Sequence, residues 1–267
     1  LHPNKKIIIE TRGRSITLLE LKENSSNVAT NLLQRGFKKG DRVLVLVRPG
    51  IDAITCVLAV IKSGGVVVIA DPGMGRDVFK SRGQLADPKW VFAESILFPI
   101  QKMPFLKRLL KYKGIDIPEL PDFKNSQIIR LGLPLPGSFG ALPYSELLKK
   151  IDPATHIPRS NETHSTDEAL IVFTSGTTSL PKGVVHTVSS VNTMLAEILN
   201  LCKPTSQDTF YTSLAHFLLL AVSIGVSAVV PNRKFSPSVF LNDLKKYKPT
   251  ILFGPPAEFI ALTNYCK

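Results

Sequence analysis

Two hydrophobic rhythms alternate along the first third of the chain. In "SITLLELKENSSNVATNLLQRGFKKGD", Leu18, Leu21, Val28, Leu32 and Leu33 recur at helical spacing. Thr17 is the candidate N-cap, with Glu20 three residues later closing a capping box, and Gly36 fits the C-cap. "RVLVLV" then reads as a short buried strand, "GIDAITCVLAVIKSGG" as a second helix, and "VVVIA" as a second strand. Continuous β-branched runs suit parallel strands covered on both faces. Strand, helix, strand with short turns predicts a parallel α/β sheet with right-handed crossovers.

The pattern continues with "KWVFAE" as a strand. Residues 102–113 place Met103, Leu106, Leu109 and Leu110 on one helical face among Lys and Arg. That segment reads as a surface helix packed on the sheet; its rival reading is an interfacial helix touching lipid. The proline-rich residues 114–143 read as an irregular excursion from the sheet, and 152–167 as a polar linker. "ALIVF" is a strand, a helix is expected from about Val188 to Leu201, and "DTFYTSLAHF" and "TILFG" read as further strands.

Composition narrows the class. The net charge is +12, but the basic residues are dispersed and no nucleic-acid-binding motif accompanies them. The charge therefore suits anionic ligands or an acidic lipid surface rather than nucleic acid. Cys56, Cys202 and Cys266 are scattered, as expected of reduced thiols. No histidine cluster has metal-ligand spacing, so no metal site is expected. The longest apolar runs are broken by Gly, Ser or His and fall short of a spanning helix. No signal-peptide pattern appears, and a soluble, cytoplasmic chain is expected. The chain begins at Leu1, so a translated start upstream is expected.

The candidate chemistry sits in "FTSGTTSLPKGVVHT", residues 173–187. Small and hydroxylated residues directly after an apolar strand gain nothing for a core. They suit a bound polyanion. Thr174, Ser175, Thr177 and Thr178 offer hydroxyl donors, Gly176 lets the backbone approach closely, and Lys182 adds a mobile charge. Strand, hydroxyl-rich turn and helix is the layout of a phosphate site, with the helix dipole contributing. The loop is not a Walker loop, because Pro181 stands where glycine is needed and Gly183 follows the lysine. "DPGMGRD" lacks a third glycine and is no dinucleotide fingerprint; Asp71 and Pro72 read as a turn at a strand's carboxyl end. His186 is expected on a solvent-facing helix position.

"IVFTSGTTSLPKG" resembles the phosphate loop of the adenylate-forming superfamily: acyl-CoA synthetases, luciferases and peptide-synthetase adenylation domains. Ser179 stands where that family most often has glycine. "GFKKGDRVLVLV", "LAVIKSGGVVVIADP" and "YKPTILFGPPAEF" are similar to further family blocks in the same order. "VRPG" at 47–50, "ADPGMGRD" at 70–77 and "SLAHFLLLAVSIGVSAVVP" at 213–231 look most like the olefin β-lactone synthetases.

The resemblance implies an α/β fold: the large N-terminal domain of the adenylate-forming enzymes, with layered parallel sheets flanked by helices. Interleaved lobes are expected, 43–199 in one and 1–42 with 200–267 in the other. It implies ATP and Mg²⁺ as cofactors, and Thr174, Ser175, Gly176, Thr177, Thr178, Ser179, Lys182 and Gly183 as nucleotide-binding residues. His216, Phe217 and Gly254 become substrate-contact candidates. Phe217 matches the family's tunnel aromatic, whereas the family's histidine position falls at Leu218, two residues from His216. The other reading of His216 is a histidine at the end of a buried strand. "FLLLAVSIG" suits an acyl channel or an ordinary core helix. The adenine-contacting block, the ribose-binding aspartate and the C-terminal domain with its catalytic lysine are expected beyond Lys267. The implied activity is ATP-dependent activation of a carboxylic acid, a long-chain or β-hydroxy acid, followed by β-lactone closure. The alternatives are a long-chain acyl-CoA synthetase, which would use coenzyme A, and a non-catalytic binding module.

Overall fold

The computed structural model describes residues 4–70, 76–99, 105, 108, 123, 125–151, 163–174, 182–231 and 235–267, the side chains of 76, 77 and 174 excepted. The chain divides into two compact units: 1–24, 49–55 and 195–267 in the first, 25–48 and 56–194 in the second. This division puts 25–42 with the second unit, where the expected lobes joined them to 200–267. The reason is packing: Val28, Leu32, Phe37 and Val43 are buried in the second unit's core.

That second unit is built on a seven-stranded sheet. In chain order the strands are β3 (Arg42–Leu46), β4 (Val66–Ile69), β5 (Trp90–Glu94), β6 (Gln127–Leu131), β7 (Leu142–Pro143), β8 (Glu168–Thr174) and β9 (Lys182–Thr187), in spatial order β7-β6-β5-β3-β4-β8-β9. The described pairs are parallel except β8 with β9. Alternation along β3 explains the layering: Val43 joins one core and Leu44 the opposite one. The first core takes Val28 and Leu32 from α1 (Leu18–Gln34) and Cys56, Ala59 and Val60 from α2 (Ile51–Lys62). The second core takes Phe79 and Ala86 from α3 (Arg76–Ala86), against Val68, Val91, Ile171 and Phe173. Helices thus cover both faces, as the continuous apolar strands require.

Two turn features anchor this arrangement. Buried Asp41 accepts from the Trp90 indole at 3.1 Å and the Lys38 amide at 2.9 Å, and pairs with Lys89 at 3.0 Å. The "KKGD" turn therefore closes on a satisfied carboxylate, which burial demands. At α1 the predicted capping box is present: Thr17 N–H donates to Glu20 Oε2 at 2.8 Å, and Glu20 N–H to Thr17 Oγ1 at 3.2 Å. The helix ends where expected, with Gly36 at φ 90° and Phe37 N–H reaching back to the Leu32 carbonyl.

The first unit carries a five-stranded sheet in the order β12-β10-β11-β1-β2. Its strands are β1 (Lys6–Glu10), β2 (Ser15–Thr17), β10 (Thr209–Thr212), β11 (Ser227–Val230) and β12 (Ile251–Phe253). β2 is antiparallel to β1 and the other pairs are parallel. A one-turn α4 (Tyr144–Leu147) and a long α5 (Val188–Cys202) precede β10. The helices α6 (Ala215–Ile224), α7 (Pro237–Tyr247) and α8 (Pro256–Cys266) alternate with the later strands. α6 packs against β1, β10 and β11. On the other face, Tyr211 and Val229 pack with Phe240, Leu244 and Phe259.

Two expectations are corrected here. The span 114–143 is not wholly an excursion, because Gln127–Leu131 forms a full sheet strand paired along β5. "QIIRL" carries its own β-forming residues between the proline clusters. The strand read in "DTFYTSLAHF" stops at Thr212, whose Oγ1 accepts from Leu214 N–H at 3.0 Å and turns the chain into α6. Most of 102–113 and all of 71–75 lie outside the described residues. No helix among the described residues is long and apolar enough to cross a membrane.

Candidate functional site

β8 runs up the sheet parallel to β4, and β9 returns antiparallel, pairing Thr174 with Lys182 and Phe173 with Gly183. Residues 175–181 join the two strand ends. Ser175, Gly176, Thr177, Thr178 and Ser179 lie outside the described residues. Lys182 and Gly183 are exposed on β9. Ile69 pairs with Val172, so β4 ends beside the last residues of β8, at the carboxyl edge of their parallel pair. That edge is where α/β folds bind ligands.

The expected strand–turn–helix layout is corrected. A strand separates the loop from α5, which begins only at Val188. β9 holds six residues, roughly 20 Å at strand rise, so the α5 dipole does not act at the loop. The β-branched Val184, Val185 and Thr187 favour this strand over a direct helix start. His186 accordingly lies half-buried on β9, paired with Leu170, and not on a helix.

The hairpin rests on an unexpected stack. The Phe173 ring is 8% exposed. A Cβ on Gly183 would meet its Cε1 at 3.3 Å and Ile171 Cγ2 at 3.4 Å. The ring thus lies across Gly183, which explains why glycine follows the loop lysine. On the ring's face sits Arg82, its guanidinium carbon 5.5 Å from the ring centroid. Arg82 is 2% exposed, on α3, which packs against β9. Nothing in the sequence pattern marked it, because a basic residue in the polar "RDVFKSRGQLA" reads as surface.

At the neighbouring strand ends Arg48 donates to Glu94 through Nε at 2.8 Å and 2.9 Å, and through its backbone N–H at 2.9 Å. This pair ties the ends of β3 and β5 and accounts for the arginine of "VRPG".

In the first unit the structure brings Phe217 and Gly254 together. The Phe217 ring stacks on Phe253, centroids 3.9 Å apart and planes at 10°, and Gly254 follows Phe253 directly. His216 lies in the first turn of α6, its ring 4.5 Å from Phe217. It is therefore not at a strand end. The residue is exposed, yet its surroundings remove enough hydration to lower its pKa. Leu218, Leu220 and Ala221 make α6 a core helix.

Gly254 also permits close approach: a Cβ there would stand 3.0 Å from Glu258 Oε2. Glu258 borders a small cavity of about 30 Å³ with Tyr211, Ser213, Pro231, Phe235 and Phe240. Burial raises the Glu258 pKa. Tyr211 donates to Asp243 at 3.0 Å; burial, then that carboxylate, raise its pKa. Among the described residues no cluster of three or more His, Cys, Asp or Glu could hold a metal ion.

The two units thus present parallel sheets covered by helices, one of them ending in a hydroxyl-rich loop on a β-hairpin. The chain belongs to the AMP-binding enzyme family, whose profile matches residues 1–267. It is 25% identical over 259 residues to an olefin beta-lactone synthetase of Xanthomonas campestris pv. campestris, covering 94% of this chain and 43% of that one. It is 32% identical over 195 residues to an acetyl-coenzyme A synthetase of Emericella nidulans, covering 70% of this chain and 28% of that one. Among solved structures, the luciferase-like enzyme of the mealworm Zophobas morio matches with a TM-score of 0.75 at 23% identity, over 97% of this chain and 58% of that one. The O-succinylbenzoate coenzyme A synthetase of Bacillus subtilis, in complex with AMP, matches with a TM-score of 0.72 at 19% identity, over 100% and 62%. These two share the fold. The chain therefore spans less than half the length of the curated relatives it matches.

Proposed function

We propose that this chain is the nucleotide-binding part of an adenylate-forming ligase, and that the loop between β8 and β9 grips the β- and γ-phosphates of ATP. The observation that carries this reading is the pairing of Thr174 with Lys182. It pairs the strand ends on either side of residues 175–181, with Lys182 exposed on β9 and the end of β4 beside β8. The residues present fit a polyanion: Lys182 is free to swing toward outer phosphates, and the loop's hydroxyls and backbone N–H groups are donors. Mg²⁺ would share the neutralisation of the triphosphate.

In this reading a substrate carboxylate oxygen attacks the α-phosphorus. The Pα–O bond to the β-phosphate breaks, pyrophosphate leaves with the electron pair, and a mixed acyl–AMP anhydride remains. The chain's contribution is positioning and charge stabilisation, as in phosphoryl transfer generally. Carboxylate-dependent exchange of pyrophosphate into ATP by the full-length protein tests it. ATP binding without exchange for any acid supplied would favour a non-catalytic binding module.

The finer reading is that a β-hydroxy acid is activated, and that its own hydroxyl oxygen then attacks the acyl carbon. AMP leaves, the hydroxyl proton passes to solvent, and a β-lactone closes. Support comes from the similarity to the Xanthomonas olefin beta-lactone synthetase along 94% of the chain. Similarity to an acetyl-coenzyme A synthetase supports the second reading, thioester formation. The full-length protein is incubated with ATP, Mg²⁺ and a long-chain 2-alkyl-3-hydroxy acid, with and without coenzyme A. Lactone and AMP without coenzyme A support the first; thioester formed only with coenzyme A supports the second.

A further inference from the structure

We propose that the connections leaving β5 and β6 form a membrane-contact surface, in which Phe105, Leu133 and Phe139 enter the headgroup layer of an anionic bilayer. Three of the four most exposed large apolar side chains among the described residues stand there: Leu133 at 79%, Phe105 at 77% and Phe139 at 72%. Single exposed apolar side chains are ordinary. Two on one short loop, with a third on the connection before it, mark an interaction surface.

The loop between β6 and β7 is built to hold its two outward. Arg130 Nη1 donates to the Gly132 carbonyl at 2.9 Å, where the loop begins. Buried Ser138 donates to the Leu135 carbonyl at 2.7 Å and accepts from the Leu135 N–H at 3.0 Å. Gly137, at φ 93°, permits that turn. The hydroxyl of the turn therefore points inward, while Leu133 and Phe139 stand in solvent. Phe105 is helical and lies one turn before Arg108, which is also exposed, so an apolar tip and a cation share one helix face.

Charge selects the occupant. Residues 102–113 carry five cations and no acid, and 123–145 carry Lys124 and Arg130 and no acid. The chain as a whole is +12. Such a surface repels a second copy of itself and attracts acidic headgroups. The apolar tips protrude singly and line no groove. That suits a fluid layer, which closes around each tip, better than a fixed protein surface. β7 and β9 are opposite edges of the sheet, roughly 30 Å apart at ordinary strand spacing. The surface is thus separate from the nucleotide hairpin and does not depend on adenylation.

The test floats full-length protein with vesicles of phosphatidylcholine, or of equimolar phosphatidylcholine and phosphatidylglycerol. Wild type should bind the anionic vesicles several-fold better, and less tightly as salt rises. Leu133→Ser with Phe139→Ser should lower the partition coefficient at least about tenfold, and Phe105→Ser should add to that loss. Arg108→Glu should weaken binding to anionic vesicles only. All four positions are exposed, so melting temperatures should not move. Leu201→Ser is the control: Leu201 is 83% exposed but lies in the other unit, and its loss should leave binding unchanged. Binding by the Leu133→Ser, Phe139→Ser protein within about twofold of wild type would overturn the proposal. So would an equal loss in Leu201→Ser, or wild-type protein that binds neither vesicle. Wild-type dimers that the double substitution abolishes would also overturn it, because a second copy would then be the occupant.

Discussion

Thr174 and Lys182 are partners across the antiparallel β8–β9 pair, so the hydroxyl-rich loop is clamped at both ends by hydrogen-bonded strands. The clamp separates two roles in neighbouring residues. Lys182 projects from the hairpin as an exposed cation, whereas Gly183 is held by what lies beneath it.

Lys182→Met tests the first role. The side chain is exposed, so its removal should leave the melting temperature unchanged. Loss of a charge-assisted contact to phosphate costs on the order of 1.5–3 kcal/mol, a fall in ATP–pyrophosphate exchange of about tenfold to a hundredfold. Exchange within about threefold of wild type would show that the lysine does not meet the phosphates.

The loop hydroxyls admit a parallel test. Thr177→Val with Thr178→Val removes two expected donors while keeping side-chain shape. Turnover should drop by more than tenfold, since each such bond is worth on the order of 1.5–3 kcal/mol. Unchanged exchange would leave the backbone N–H groups as the loop's donors.

Gly183→Val tests the second role. Even a bare Cβ would sit at 3.3 Å from the Phe173 ring, and valine adds two methyls to that contact. The ring is buried against Arg82 and has little room to yield. Overpacking of this kind costs about 1–3 kcal/mol, which denaturant titration would resolve. A variant as stable as wild type would mean that the ring swings aside.

Which parts of this were legible in the sequence follows from how local each signal is. The Thr17–Glu20 capping box and the Gly36 terminus involve residues three to five apart, and both appear as read. The strands flanking α2 were legible because uninterrupted β-branched runs require burial on both faces. β1 was not: "KIIIE" is short, and its partner β11 is more than two hundred residues away, Ile8 pairing with Ala228. β9 was hidden because "KGVVHT" runs directly into a helix, and only its pairing with β8 reveals a strand. Arg82 and Glu258 were invisible for a common reason. A charged residue in a polar helix reads as surface until tertiary packing removes its water.

The capping box gives a pH signature. The hydrogen bonds from the Thr17 amide and hydroxyl hold the Glu20 pKa below its ordinary value. A carboxylate depressed on folding contributes stability that is present above its unfolded pKa and lost as pH falls through its folded pKa. Thr17→Ala should therefore lower the melting temperature at neutral pH. The difference from wild type should shrink as pH drops below about 4, the range in which Glu protonates. A difference independent of pH would mean that the hydroxyl's bond to the Glu20 amide carries the effect alone.

Glu258 carries the opposite sign. It borders the small cavity beside Tyr211 and Phe240, and burial raises its pKa from the ordinary glutamate value. A group whose pKa rises on folding contributes most favourably below its unfolded pKa, and that contribution is lost as pH rises through the folded pKa. At neutral pH the ionised carboxylate is thus held in a place that disfavours it. Glu258→Gln keeps the shape and removes the charge, so it should raise the melting temperature at pH 7, with the gain disappearing by about pH 3, where the glutamate is protonated in both the folded and the unfolded protein. Melting curves of the two proteins across that range decide it. Destabilisation by Glu258→Gln at neutral pH would show instead that the carboxylate is held by a favourable contact, and that burial is not what governs it.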